Sequence, residues 1–312
     1  MGDNLAATIA CDGSVRLTDW ALLRAHGADA ATFLQGQLTQ DVVGLRAGEA
    51  RLAGYCSAKG RLLASFIVWR MGDDQFGLLC SADLAAAVRK RLSMYVLRAR
   101  CRVDDASGEW LVFGLAGAAA QRLTDAAKPW SARQQGAQWS IALPAAEQAP
   151  RALLVQPAAA PAPSLPALDP HVWSLLEVLS GMPRVTAATA EQFVPQMVNF
   201  ELVGGVHFQK GCYPGQEVVA RSQYRGTIKR RMHLFATNGS AQPGQEVFHS
   251  DDSAQPAGLV VNAAATAGSG CRLLAEVKLA SLEGGSLHLG SADGPLLRRL
   301  PLPYPLADVA HA

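Results

Sequence analysis

No stretch of this 312-residue chain approaches the roughly 18 uninterrupted apolar residues that a membrane-spanning helix requires. Its opening, MGDNLAATIACDG, has no basic start leading into an apolar run, so no secretory leader is expected. The Met-Gly-Asp start also lacks the Ser or Thr of a myristoylation site. Excess charge is equally scarce. Against 28 Lys and Arg stand 26 Asp and Glu, a formal net charge of +2, so nothing global calls for a nucleic-acid or membrane partner. The cysteines at 11, 56, 80, 101, 212 and 271 include no Cys-x-x-Cys pair and form no disulfide framework in a chain this long. They are also too dispersed for a four-cysteine iron–sulfur site. The histidines at 26, 171, 207, 233, 249, 288 and 311 show no ligand spacing, so no metal site is expected. Walker and Gly-x-Ser-x-Gly loops are missing. The expected compartment is therefore a reducing cytoplasm, with the thiols free.

What is present is core material. Hydrophobic residues make up 49% and charged residues 17%, enough apolar surface for two or three domains. The period of Ala30, Phe33, Leu34 and Leu38 after Asp29 predicts a capped helix. RLLASFIVWR (61–70) and QFGLLC (75–80), joined by MGDD, predict a β-hairpin. Ser81 then caps a helix through about Leu97, with Leu84, Val88, Leu92 and Tyr95 on its apolar side. Strands CRVDD and EWLVFGL follow. Strands mixed with helices, without strict βαβ alternation, indicate an α+β fold.

Residues 141–168, rich in Ala and Pro, read as a surface excursion around one strand (RALLVQ) that ends in a semi-rigid linker. Asp169-Pro170 opens a helix that carries Trp173 as a core residue and stops at Gly181. Thr189 with Gln192 forms a capping-box pattern for a short helix curtailed by Pro195. Beyond residue 230, RMHLFAT, GQEVFHS, GLVVNAAAT, CRLLAEVKLA, SLHLG and LLRRLPL are short apolar runs separated by Gly-rich turns, which predicts a small all-β barrel or sandwich. The expected division is therefore 1–230 and 231–312.

One stretch, HFQKGCYPGQEVVAR (207–221), reads as a loop built around a thiol. Pro214-Gly215 suits the centre of a type II turn, and Gly211 permits close backbone approach. A helix opening at Gln216-Glu217 puts Cys212 near its positive end, with Lys210 alongside; both favour a reactive thiolate. The opposite reading, a small buried hydrophobe, stays open for a single cysteine. Six basic residues (Lys210, Arg221, Arg225, Lys229, Arg230, Arg231) crowd the same region against one acid, Glu217. They read as a solvated face, as a seat for an acidic ligand tail, or as a patch for an acidic protein or RNA. With only Tyr213 and Tyr224 between them, direct nucleic-acid binding is not expected.

The eight-residue motif Lys210 to Glu217 resembles the signature of the YgfZ family of folate-binding proteins, relatives of the aminomethyltransferase (T-protein) of the glycine cleavage system. FLQGQLTQDV (33–42), YCSAKGRLLASFIVW (55–69), residues 191–226, AGLVVNAA (257–264) and LPLPYPL (300–306) are similar to further blocks of that family. The resemblance implies a T-protein-like tripartite architecture: two interleaved α+β parts forming a cleft for tetrahydrofolate or a one-carbon derivative, then a C-terminal β-barrel. It implies a role in the assembly or repair of iron–sulfur enzymes, such as those that methylthiolate tRNA. Partners would then be folate and iron–sulfur assembly proteins or client enzymes. Carried onto this chain, Cys212 is the key thiol, with Lys210, Gly211, Tyr213, Gly215, Gln216 and Glu217 as its setting. Asn199 and Glu201 become polar groups of the folate cleft, and Arg221 a seat for the folate tail. T-proteins carry an aspartate on the strand where this chain has Ala64 and Ser65. That departure weighs against the alternative, a folate-dependent aminomethyl or one-carbon transferase.

Overall fold

The computed structural model describes residues 11–224 and 228–306. In chain order, the first part contains β1 (Gly13–Arg16), β2 (Trp20–His26), α1 (Ala30–Gln35), β3 (Ala50–Cys56), β4 (Leu62–Gly72), β5 (Gln75–Ser81), α2 (Ala82–Val96) and β6 (Arg102–Asp105). Next come β7 (Trp110–Ala116), α3 (Gly117–Thr124), β8 (Ala132–Gln135), β9 (Gln138–Ala146), β10 (Ala149–Pro157), α4 (Pro170–Leu179) and α5 (Gln216–Tyr224). The last part holds β11 (Arg230–Thr237), β12 (Glu246–His249), β13 (Gly258–Ala265), β14 (Cys271–Lys278), β15 (Leu287–Leu289) and β16 (Leu296–Leu300).

Two five-stranded antiparallel sheets, in orders β3-β4-β5-β2-β6 and β1-β7-β10-β9-β8, share one core. Trp69 of β4 and Trp139 of β9 bridge them edge to face, with ring centroids 6.5 Å apart. The third unit is a closed barrel, β11-β14-β13-β12-β15-β16, in which β16 returns to pair with β11. Closure removes the open edges that such short strands would otherwise expose. The fold is thus α+β and tripartite.

Helix α4 joins the second sheet to the barrel. Its N-cap Asp169 accepts a hydrogen bond from the His171 amide, and Pro170 occupies the first turn. Trp173, 2% exposed, lies flat over Gly114 of β7, where a Cβ would fall 2.6 Å from the indole. Gly114→Ala is therefore expected to overpack the junction and cost about 1–3 kcal/mol, read as a lower urea midpoint. An unchanged midpoint would mean the ring can yield at no cost.

Several expectations are corrected. The expected excursion at 141–168 is for the most part no surface excursion: β9 and β10, which take in residues 141–146 and 149–157 of it, are inner strands of the second sheet, with Ile141, Leu153 and Val155 fully buried. Alanine is the composition signal that misled, because Ala142, Ala146, Ala149 and Ala152 are themselves buried where sheet and helix approach closely. Thr189 opens no helix. Its hydroxyl accepts from the Thr186 amide in a turn, and Pro195 starts a short 3₁₀ turn instead of ending a helix. Asp29 and Ser81 precede their helices without a side-chain cap bond. The Asp29 carboxylate instead accepts from the Arg100 amide at 2.7 Å. Tyr95, placed on the buried side of α2, is 47% exposed.

Candidate functional site

The 207–217 loop is fixed by two glycine turns pressed backbone to backbone. The Gln216 amide donates to the Tyr213 carbonyl at 3.2 Å, and Gly215 has φ +79°, as a type II turn requires. A Cβ on Gly215 would lie 2.4 Å from the Ser57 carbonyl oxygen and 2.6 Å from the Gly60 Cα. Gly60, with φ +70°, meets Val218 of α5 in the same way, at 2.7 Å from a built Cβ. The β3–β4 turn and the thiol loop, far apart in sequence, are therefore one structural unit. Gly211 is different: a Cβ there would meet nothing within 4 Å, so the close approach expected of it is absent.

Lys210 faces inward. Its ammonium donates to the Leu38 carbonyl at 2.6 Å and to that of Gln35, capping the end of α1, and it sits 5.0 Å from the Tyr213 ring centroid. Burial lowers its pKa to about 8, opposed by the nearby Asp41 carboxylate and Cys212 sulfur. Burial likewise raises the Tyr213 hydroxyl far above its ordinary value. Cys212 itself is exposed, unlike the buried Cys56, Cys80 and Cys271. Glu217 stands exposed in the first turn of α5, where the helix dipole favours an acid, and Arg221 is exposed in its last turn. Gln216, the first residue of α5, is half-buried.

Burial also pushes the thiols of Cys56 and Cys80 up to about 12. In the native chain at pH 8, iodoacetamide is expected to label Cys212 at least about a hundredfold faster than either. Peptide mass spectrometry reads this directly. Comparable labelling of Cys56 or Cys80 without unfolding would contradict the packing.

Asn199 and Glu201 are placed elsewhere than expected. Asn199 is fully buried at φ +57° and donates to the Met232 carbonyl at 2.8 Å. Glu201 pairs with Arg231 at 2.5 Å, each side chain 5% exposed. Both are ties between the linking segment and the barrel. Of the basic run, Arg231 and Arg230 are held by carboxylates, the latter by the buried Glu276 at 3.0 Å. Arg225 lies outside the described residues.

The cavity that gathers charged groups lies where both sheets, α4 and the barrel meet. Trp20 of β2, Ser65 of β4, Arg151 of β10, Glu177 of α4, Arg184 and Asn262 of β13 line it. No residue of 199–221 does. Arg184 and Asn262 lock the barrel to the wall by reciprocal backbone–side-chain bonds, both 2.9 Å. The Arg184 guanidinium reaches Asp19 at 2.5 Å and stacks 4.8 Å above the Trp20 ring. It stands 3.8 Å from Glu177. Burial raises the Glu177 carboxyl above the ordinary carboxylate range, opposed by Arg184 and Arg151.

Arg151 is the unusual member. It is 4% exposed, gives its Nε–H to the Pro144 carbonyl at 3.1 Å, and leaves Nη2 buried without a partner. Burial brings its pKa down to about 10. The indole N–H of Trp20 is directed at the Glu177 carboxylate and also opposes the upward shift of that carboxyl. Of these residues sequence reasoning singled out only Ser65, as the place of a missing carboxylate. The available signals were one acid inside the otherwise apolar WSLLEVLS and an arginine at the head of the apolar run RALLVQ. Among the described residues no cluster of three or more His, Cys, Asp or Glu is placed to hold a metal, and no helix is long and apolar enough to cross a membrane.

Two five-stranded sheets, a bridging helix, a closed barrel and a polar cavity at their junction define a glycine-cleavage T-protein fold. The family model for the GCVT N-terminal domain matches residues 10–140. The solved aminomethyltransferase T of the Bartonella henselae glycine cleavage system aligns at a TM-score of 0.72 and 16% identity, over 95% of this chain and 86% of that one. Within that fold the relatives narrow further. The tRNA-modifying protein YgfZ of Sodalis glossinidius is 30% identical over 94% of this chain and 93% of its own. That of Edwardsiella ictaluri is 35% identical over 73% and 71%. The chain belongs to the YgfZ family.

Proposed function

We propose that this chain binds tetrahydrofolate, or a one-carbon derivative, in the junction cavity and serves a folate-related role in tRNA modification. The carrying observation is Arg151, a buried guanidinium on the cavity wall whose Nη2 has no partner, in a cavity that the half-buried carboxylate of Glu177 also lines. A buried charge without its hydrogen bonds is costly, so such a group signals a missing acceptor. The set fits a pterin. Glu177 would accept from adjacent ring N–H and amino donors, as a carboxylate does from a fork of donors. Arg151 would donate to the pterin carbonyl oxygen, and Trp20 would offer an aromatic wall. Bound tetrahydrofolate would supply the nitrogens that carry a one-carbon unit.

The reading retains Cys212 as the acting thiol, on the exposed loop with Lys210 and Tyr213 packed beneath it, in the upkeep of the iron–sulfur enzymes that methylthiolate tRNA. The loop and the cavity are separate: the loop packs at the β3–β4 turn, and the cavity opens on the middle of β4 at Ser65. About four to five residues of strand, roughly 15 Å, lie between. The absence of a carboxylate at Ala64 and Ser65 favours this accessory role over aminomethyl transfer. Anaerobic calorimetric titration with tetrahydrofolate, on wild type and Cys212→Ser, tests the division. One-site binding by both is expected, together with loss of tRNA methylthiolation in cells carrying Cys212→Ser. No binding by wild type sinks the folate reading; full cellular function of the mutant sinks the thiol reading.

A further inference from the structure

The end of α2 carries a charge run that the global balance conceals. RKRLSMYVLRARCR (89–102) holds Arg89, Lys90, Arg91, Arg98, Arg100 and Arg102 and no acid. Val88 and Leu92 turn to the core, while Arg89, Lys90, Ser93 and Met94 are exposed. Arg91 lies 5.8 Å from the centroid of the Tyr95 ring. After the helix, Leu97 adopts φ +49° and is 85% exposed, and Arg98 is exposed beside it. Arg100 and Arg102 pair with Asp29 and Asp104, at 3.3 and 2.9 Å. Among the described residues, Arg89, Lys90 and Arg98 have no carboxylate within 4 Å.

Unpaired cations beside exposed Met94, Tyr95 and Leu97 make a surface that is poorly matched to water and suited to a partner. Its position is specific. Arg91 lies beside the buried Tyr55 hydroxyl. Tyr55 is bridged through its backbone to Leu38, whose carbonyl receives the Lys210 ammonium. The patch and the Cys212 loop therefore flank the same end of β3.

We propose that this face binds RNA, its cations contacting the phosphate backbone and Tyr95 stacking on an unpaired base. The exposed ring backed by a guanidinium favours RNA over an acidic protein, because a base has a flat face to stack and a carboxylate does not. The expectation of no nucleic-acid contact rested on the net charge and on the 210–231 stretch; acids elsewhere in the chain offset the cations of 89–102. The proposal takes only its probe, tRNA, from the tRNA-modification reading.

The test is fluorescence anisotropy of a labelled, unmodified tRNA transcript with the full chain, from about 50 to about 200 mM salt. The triple variant Arg89→Ser/Lys90→Ser/Arg98→Ser is expected to bind at least about tenfold more weakly, with the slope of log affinity on log salt reduced by about 2. Tyr95→Ala is expected to lose about tenfold with an unchanged slope, since stacking releases no counterions. Arg272→Ser/Arg298→Ser, on the barrel, should match wild type. Equal losses in the barrel variant, or none in the triple variant, overturn the proposal. So does a wild-type chain that ignores tRNA but binds poly-glutamate through these same residues, which assigns the face to an acidic protein. Tetrahydrofolate titration of every variant should remain at wild type, so this proposal can fail while the folate reading stands.

Discussion

Glu201→Ala is expected to destabilise the chain by about 3–5 kcal/mol, one of the largest losses of any single substitution here. The reason is what remains. Arg231 is 4% exposed and its Nη1 also reaches the Gln196 carbonyl at 2.8 Å, so it cannot swing out to water when its carboxylate goes. An uncompensated buried charge is far costlier than a missing contact. Equilibrium urea unfolding reads the loss. The decisive comparison is Glu201→Leu/Arg231→Met, which removes both charges with similar volume and should recover most of it. A double variant that falls as far as the single one would locate the cost in packing and not in the pair.

That pair shows where the sequence was legible. Glu201 and Arg231 both stood out as polar residues near the motif, and a ligand role was the natural reading of either alone. Their mutual contact spans thirty positions, from the linking segment to the first barrel strand, and nothing local encodes it. The barrel strands were readable because each is a short apolar run bounded by turn residues such as Pro243-Gly244 and Gly284-Gly285, the last three glycines held at positive φ. The 3.6-residue period of α2 was readable through Leu92, but its last turn was not. There Tyr95 leaves the core, and the C-terminal residue Leu97 adopts a left-handed φ that no propensity favours. The helix α3 went unread because GAAAQRLT buries alanines and one threonine and presents no large apolar stripe. The thiol loop was legible because turn chemistry is local. The cavity was not, since Trp20, Ser65, Arg151, Glu177 and Asn262 come from five separate elements.

Arg151→Met should weaken tetrahydrofolate binding by about a hundredfold and leave folding intact or improved. A hydrogen bond to a charged group contributes about 1.5–3 kcal/mol, and the unpartnered Nη2 offers one to a bound acceptor. In the free chain the same guanidinium is a buried cation short of partners, so replacing it by an apolar side chain of similar reach removes a desolvation cost. Affinity and stability should thus move in opposite directions, which a structural arginine would not produce. Glu177→Gln supplies the matching test. An amide presents only one acceptor, so the fork of pterin donors loses a bond and one donor faces another. Binding to wild type should also weaken as pH falls through the Glu177 pKa, at a value above the ordinary carboxylate range because burial favours the protonated acid. In Glu177→Gln that pH dependence should vanish. A mutant that keeps both its affinity and its pH profile would move the folate out of this cavity, and the Nη2 of Arg151 would then await a different acceptor.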